Sequence, residues 1–291
     1  MKLGGDNLKI ALQRKGRLAD ASLQALKSAG MDFDYHDGKL FCQCRSFPLD
    51  LLFLRDDDIP EYVQDGVTDL GIVGLNVVEE RSAEVAQLDC LGFGSCSLSI
   101  AVPRQSPYRT VYDLEGKRIA TTYPNILSRF LGQKKVNARL IYISGSVEIT
   151  PSLDVADAIC DLVSTGSTLR MNDLEPIEVA LRSEAMLIAH PLSLRDGRKK
   201  DLIDRLRIRL QGNIRARQTK YVMMNAPEAA LGEIKQILPG MKSPTIVSLA
   251  EKGMIAIHAA VPEEFFWDVI EKLKKAGASD ILVVPVEKMV V

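Results

Sequence analysis

The sequence predicts an α/β protein in which two open α/β lobes enclose a cleft and a ferredoxin-like βαββαβ domain follows at the C-terminus. Three observations carry that expectation. Short apolar runs alternate with amphipathic segments through the first part of the chain, as strands alternate with helices in open α/β lobes. Two stretches, 65–74 and 154–166, echo each other, each running from an acidic residue through an apolar strand into a glycine-containing loop. From Thr219 onward the apolar and breaker pattern reads strand, helix, strand, strand, helix, strand.

Taken in order, strands are expected at 10–12, 51–54 and 70–73, with helices at 18–29 and 59–64 between them. A second lobe opens after 98–103 and carries strands at 118–122, 139–143 and 159–163. An apolar return segment covers 177–190, and a charged helix covers 198–217. In the C-terminal part the strands fall at 221–224, 245–249, 254–260 and 281–285, with helices at 227–238 and 262–276. Pro227 and Pro262 stand where a first helical turn tolerates proline, and Gly240 and Gly277 stand where helices stop. The expected domains are residues 1–98 with 183–216 as the first lobe, 99–182 as the second, and 217–291 as a third domain. Loops at the carboxyl ends of strands are where open α/β sheets bind ligands, so facing loops predict a cleft site.

Composition narrows the function classes. With 46% hydrophobic and 26% charged residues in 291, the chain has the make-up of a folded globular protein. A formal charge of -1 gives no overall field for nucleic acid or a membrane surface. No basic, apolar and small-residue leader opens the sequence and no stretch approaches about 18 uninterrupted apolar residues. A soluble cytoplasmic protein is the expectation. The five cysteines lack paired CxxC spacing, and the three histidines, His36, His190 and His258, are scattered. Neither set suggests a metal centre or a catalytic triad.

The most chemically specific segment is 164–168, Ser-Thr-Gly-Ser-Thr, at the end of the 159–163 strand. Hydroxyl donors and a glycine that frees the backbone suit a phosphate nest, although alone such a run more often caps a helix. The ending lacks the Gly-Lys-Ser/Thr of a nucleotide triphosphatase loop. Glu148, Asp157 and Asp161 precede the loop, and Asp161 stands out because an unpartnered carboxylate in an otherwise apolar strand is costly unless a hydroxyl-rich ligand satisfies it. Lys15 and Arg17 lie in a strand-to-helix loop and Arg55 ends a strand, so all three could face phosphates. Asp58 is read as the cap of the helix that begins near Pro60.

These residues bring a resemblance into view. Glu148, Ala156, Ile159, Asp161, Leu162, Thr165, Gly166, Thr168 and Leu169 stand at the signature spacing of the ATP phosphoribosyltransferases, first enzymes of histidine biosynthesis. Further stretches at 15–17, 55–60, 69–74, 118–124 and 243–246 are similar as well, and the chain resembles the long form of that family from near Ile10 to its end. One departure stands inside the signature, where Asp154 replaces the usual glycine six residues after Glu148.

The resemblance implies that ATP and 5-phosphoribosyl 1-pyrophosphate combine, with Mg2+, to give phosphoribosyl-ATP and pyrophosphate. It implies that Ser164, Thr165, Gly166, Ser167 and Thr168 grip the 5-phosphate while Asp161 and Glu148 hold the ribose hydroxyls. Lys15, Arg17 and Arg55 would face the polyphosphates, Asp69 and Tyr123 would help to locate ATP, and Asp161, Glu148 and Arg17 would act at the reacting centre. Mg2+ would be held by pyrophosphate and water rather than by protein side chains. The C-terminal domain would bind L-histidine as inhibitor, through positions matching Asn225, Met241, Ser243, Thr245, Ala260 and Asp280, and shift an active dimer to an inhibited hexamer. Two α/β lobes around a cleft are also the plan of the periplasmic binding proteins, so the fold is periplasmic-binding-protein-like and does not itself separate an enzyme from a solute binder. The phosphate loop with its carboxylate favours the enzyme.

Overall fold

The computed structural model describes residues 6–36, 38–238 and 244–290. The chain divides into two compact units, Met1–Arg205 and Leu206–Val291.

The first unit opens with β1 (Leu8–Gln13), α1 (Ala19–Ser28), β2 (Phe41–Gln43), β3 (Leu49–Leu54), α2 (Ile59–Gln64), β4 (Leu70–Gly74), α3 (Leu75–Arg81) and β5 (Ala86–Cys90). Helices on both faces bury its parallel strands, which is why β1, β3 and β4 are near-continuous apolar runs. The second lobe follows with β6 (Cys96–Pro103), β7 (Arg118–Thr121), α4 (Pro124–Lys134), β8 (Arg139–Tyr142), β9 (Ala158–Val163), α5 (Ser167–Met171) and β10 (Leu174–Ser183). The chain then returns to the first sheet as β11 (Ala185–Ala189).

The first sheet has the order β2-β3-β1-β4-β11-β5, with β1 parallel to β3 and β4 and β11 antiparallel to β4. The second has the order β10-β6-β9-β7-β8, with β7 parallel to β8 and β9. The segment 177–190, read from sequence as one apolar return, is thus two strands in two sheets, joined at Glu184. That crossing and residues 91–95 between β5 and β6 form a double hinge. Leu91 N–H donates to Ala185 O, Ala185 N–H to Phe93 O, and Gly92 N–H to the Glu184 carboxylate. The two lobes make the expected open α/β pair.

α6 (Gly197–Arg217) is the charged helix, and the remaining elements are β12 (Thr219–Pro227), α7 (Leu231–Ile237), β13 (Thr245–Ser248), β14 (Met254–Pro262), α8 (Glu263–Lys275) and β15 (Ser279–Pro285). Their antiparallel sheet, β13-β14-β12-β15, is the ferredoxin-like order. Val222, Met224, Ile255, Ile257, Val269 and Leu273 fill the core of this unit. Pro227 and Pro262 end strands rather than sit inside helices, and a 3-10 turn at Glu228–Ala230 precedes α7. Gly277 follows α8 at φ +93°, a conformation that favours glycine, whereas Gly240 lies outside the described residues. All five cysteines are free, with Cys42, Cys44 and Cys160 buried. Among the described residues, no helix is long and apolar enough to cross a membrane.

Candidate functional site

The loop after β9 and the start of α5 line a cavity of about 430 Å3 together with Glu148 and Asp161. Gly166 takes a left-handed φ of +72° ahead of α5, where a side chain would be strained. Thr165 Oγ1 and Ser167 Oγ share a hydrogen bond of 3.0 Å, and Arg170 donates to Thr165 O at 3.2 Å. Among the described residues, the backbone N–H groups of Thr165, Gly166 and Thr168 donate to no protein acceptor, so the loop keeps donors in reserve beside a cavity.

Asp161 forms the wall of that cavity. Its carboxylate accepts the Leu162 N–H at 2.7 Å, burial pushes it above the ordinary carboxylate range, and the nearby charge of Glu148 pushes it further. Two acids facing one polar cavity repel until a cation or a set of hydroxyl donors arrives. Glu148 reaches this place from a 3-10 turn at Val147–Ile149. The return from that turn to β9 is clamped by Arg118, which donates from N, Nε and Nη2 to the Asp157 carboxylate. The same guanidinium reaches Asp154 O at 2.8 Å and Asp154 Oδ1 at 2.9 Å. Asp157, one of three acids considered for a sugar, is therefore committed to Arg118, which holds its carboxyl below the ordinary range. Asp154, at φ +56°, occupies the left-handed conformation that accounts for glycine at that position of the signature.

The first lobe carries cations in the loops that follow the carboxyl ends of β1 and β3. Arg17 sits in the loop after β1 and donates to Gly94 O at the hinge. Lys15 in the same loop and Arg55 after β3 are exposed and, among the described residues, form no ion pair. Asp58 precedes α2 without a side-chain capping bond, a correction to its expected role, because a 3-10 turn at Asp56–Asp58 continues directly into the helix. Asp69 is also not brought to the cleft. It stands at the amino end of β4, 4% exposed, and accepts from Lys9 N–H, Ser193 Oγ and Lys199 Nζ.

Tyr123, by contrast, lies where the lobes meet, and its hydroxyl accepts the Asn76 amide at 3.3 Å. Nearby, the Glu80 carboxylate accepts the N–H groups of Asn125 and Ile126 at the start of α4, and Arg129 on α4 donates to Glu79 and Ser82. Sequence reasoning did not single out Asn76, Glu80 or Ser183. The available signal was a polar residue, Asn76, inside the apolar run Leu75 to Val78 that opens α3.

A family model described as ATP phosphoribosyltransferase matches residues 55–212, and a second, described as HisG, C-terminal domain, matches 216–288. A curated ATP phosphoribosyltransferase from Cytophaga hutchinsonii is 47% identical over 283 residues, covering 97% of this chain and 98% of the relative. The chain belongs to the ATP phosphoribosyltransferase family. The C-terminal match makes it a long-form member, a pentosyltransferase of the first step of histidine biosynthesis. Among solved structures, a chain of the ATP phosphoribosyl transferase (HisG:HisZ) complex from Thermotoga maritima superposes with a TM-score of 0.60 at 29% identity, covering 70% of this chain and 98% of that one.

In the C-terminal domain of this family member, the sheet face opposite the two helices carries Asn225, Thr245 and Ala260, because alternate residues of β12 and β14 bury Val222, Met224, Ile257 and Ala259 on the other side. Asn225 Nδ2 donates to Asp280 Oδ2 at 3.1 Å. Met241 and Ser243 lie outside the described residues. Among the described residues, no group of three or more His, Cys, Asp or Glu side chains is placed to hold a metal ion. The oxygen donors that line the cavity, Glu148 and Asp161, suit a hard cation that brings most of its own ligands.

Proposed function

We propose that the chain condenses ATP with 5-phosphoribosyl 1-pyrophosphate, forming the bond from adenine N1 to ribose C1 while the C1–oxygen bond breaks and its electron pair leaves on pyrophosphate. The products are N1-(5-phosphoribosyl)-ATP and pyrophosphate. The observation that carries this reading is the sharing of one cavity by the 164–168 loop and the Glu148 and Asp161 pair. Ser164, Thr165, Gly166, Ser167 and Thr168 hold the 5-phosphate, and the two carboxylates accept the ribose hydroxyls and face the positive charge that develops at C1. Lys15, Arg17 and Arg55 face the polyphosphates of the two substrates from the other lobe, and Tyr123 contributes to the ATP side. The protein's work is alignment and electrostatic support, without a covalent intermediate. Mg2+, when bound with the pyrophosphate, would supply neutralisation of the leaving group, and Glu148 and Asp161 are the cavity-lining carboxylates that would face it.

Asp69 is left out of the ATP side, because its carboxylate is fully engaged within its own lobe. Feedback by L-histidine is assigned to the open sheet face bearing Asn225, Thr245, Ala260 and Asp280, coupled to a shift from an active dimer to an inhibited hexamer.

Purified protein mixed with ATP, phosphoribosyl pyrophosphate and Mg2+ should yield phosphoribosyl-ATP, and absence of that product in every assembly state would sink the reading. Thr168→Val and Asp161→Asn should each raise the KM for phosphoribosyl pyrophosphate with the fold intact. Asn225→Ala should relieve histidine inhibition without changing uninhibited turnover, and unaltered inhibition in both Asn225→Ala and Asp280→Ala would place the effector elsewhere.

A further inference from the structure

Asn76 is 2% exposed in the first turn of α3, and its side chain bridges the hinge and both lobes. The backbone N–H of Asn76 donates to Ser183 Oγ at 3.0 Å, so the serine's own hydrogen must find another acceptor, and it is given to Asn76 Oδ1 at 2.8 Å. This fixes which end of the amide faces Ser183 and sends Nδ2 to the Tyr123 hydroxyl. The flipped amide would strand the hydrogen of a serine that is 5% exposed.

Gly74 supplies an independent sign that this amide has a reserved place. Its φ of -69° is open to any residue, yet a Cβ there would stand 2.4 Å from Asn76 Oδ1 and 3.8 Å from Arg17 Nη2. Glycine is needed for room rather than for its backbone, and the room is taken by Asn76 next to a cation of the cleft.

We propose that Asn76 is a positioning residue of the reaction, which by donating across the lobes to the Tyr123 phenol oxygen leaves the phenol hydrogen to be donated to an acceptor atom of ATP in the cleft. Among the described residues, the Tyr123 hydroxyl donates to no protein group. Burial, with the Asp161 charge adding to it, raises the phenol well above its ordinary range, so the hydrogen is present at neutral pH. The inference rests on the reading of Tyr123 as part of the ATP side.

The full-length enzyme tests it through Asn76→Asp, Tyr123→Phe and the double variant. A carboxylate of the same shape still accepts from Ser183 but also accepts the phenol hydrogen, turning it away from ATP. Each single variant should lower kcat/KM for ATP by roughly tenfold, the size of one lost hydrogen bond to a charged or partly charged group, with the KM for phosphoribosyl pyrophosphate unchanged. The double variant should be no worse than Tyr123→Phe. A merely structural role for Asn76 would instead depress the use of both substrates and add to the loss from Tyr123→Phe, and either result would overturn the inference. Full ATP use by Asn76→Asp beside a defective Tyr123→Phe would overturn it alone, whereas unchanged ATP use by Tyr123→Phe would overturn the reading of Tyr123 with it. Should Asn76→Asp fail to fold, the unmodified enzyme labelled with 13Cζ-tyrosine decides. The Tyr123 resonance, assigned by its loss in Tyr123→Phe, should move on saturation with ATP, and a resonance that stays in place overturns the inference.

Discussion

Asp154 stands in the family signature where glycine is usual, and the backbone there shows what a substitution should do. At φ +56° a Cβ crowds the following carbonyl, a conformation that costs an ordinary L-residue roughly 1–2 kcal/mol. Aspartate lowers that cost through local hydrogen bonding, and here Arg118 Nη2 also holds Oδ1 at 2.9 Å. That ion pair is solvent-screened, since the Asp154 side chain is 95% exposed, and contributes little. The bond from Arg118 Nη1 is to the main-chain oxygen and survives any substitution. Asp154→Ala should therefore lose about 1 kcal/mol, a fall in Tm of about 2–4 °C for a unit of the size of Met1–Arg205. Asp154→Gly removes the crowding but gives the unfolded chain more freedom, so it should stay within about 0.5 kcal/mol of the parent. Scanning calorimetry compares the three proteins, and the KM for phosphoribosyl pyrophosphate should be unchanged in the glycine variant. An alanine variant as stable as the parent, or a glycine variant weaker than the alanine one, would refute the backbone argument and leave the carboxylate itself as the holder of the turn.

Three further variants test the same geometry. Glu148→Gln removes the like charge that adds to burial in raising Asp161, so the acid limb of the pH profile for phosphoribosyl pyrophosphate should move to lower pH while turnover falls; an unmoved limb would mean that Asp161 does not titrate in that profile. Because a raised carboxyl favours the folded state only at low pH and loses that contribution as pH rises through its folded pKa, the same variant should gain stability at pH 7 relative to pH 4 in urea unfolding. Asp69→Asn weakens three internal bonds, and should cost about 2 kcal/mol without changing the KM for ATP below the melting transition; a raised KM would return Asp69 to the substrate. Glu80→Ala frees the first N–H groups of α4 from the opposite lobe and should raise the KM of both substrates together, whereas a change confined to one would show that the contact serves a single subsite.

The C-terminal domain was legible because prolines and glycines punctuate it and its central strands β12 and β14 alternate cleanly, as Val222, Met224 and Ala226 against Tyr221, Met223 and Asn225 show. The 164–168 loop was legible as a strand-to-helix turn that opens on a cavity, because glycine and hydroxyl residues follow an apolar strand. β2 and β5 went unread, since one is three residues long and the other has the weak burial pattern of a half-exposed edge. The switch of sheets at Glu184 has no local signal, for both β10 and β11 are strands and only the partners differ. Asp69 was misplaced for a directional reason. The family resemblance put it on the ATP side, yet it lies at the amino end of β4, whereas Arg17, Arg55, Asn76, Tyr123 and the 164–168 loop all follow carboxyl ends.

That common end explains why the chemistry is divided as it is. In the proposed reaction, displacement at C1 would gather positive charge on the ribose and negative charge on pyrophosphate, so a competent site needs anionic and cationic walls that do not neutralise each other beforehand. Among the described residues, neither Glu148 nor Asp161 is ion-paired with Lys15, Arg17 or Arg55, and each set is carried on a different lobe. Keeping the sets apart leaves a repelling acid pair on one wall, and under the proposed function the bound ribose and its metal would relieve that repulsion. The lobes are registered by bonds that use neither Glu148 and Asp161 nor Lys15 and Arg55: the Ser183, Asn76 and Tyr123 chain at the hinge, Glu80 on the first N–H groups of α4, and Arg129 on Glu79. A contact of that kind holds the two walls at working distance without drawing on the charges the reaction uses.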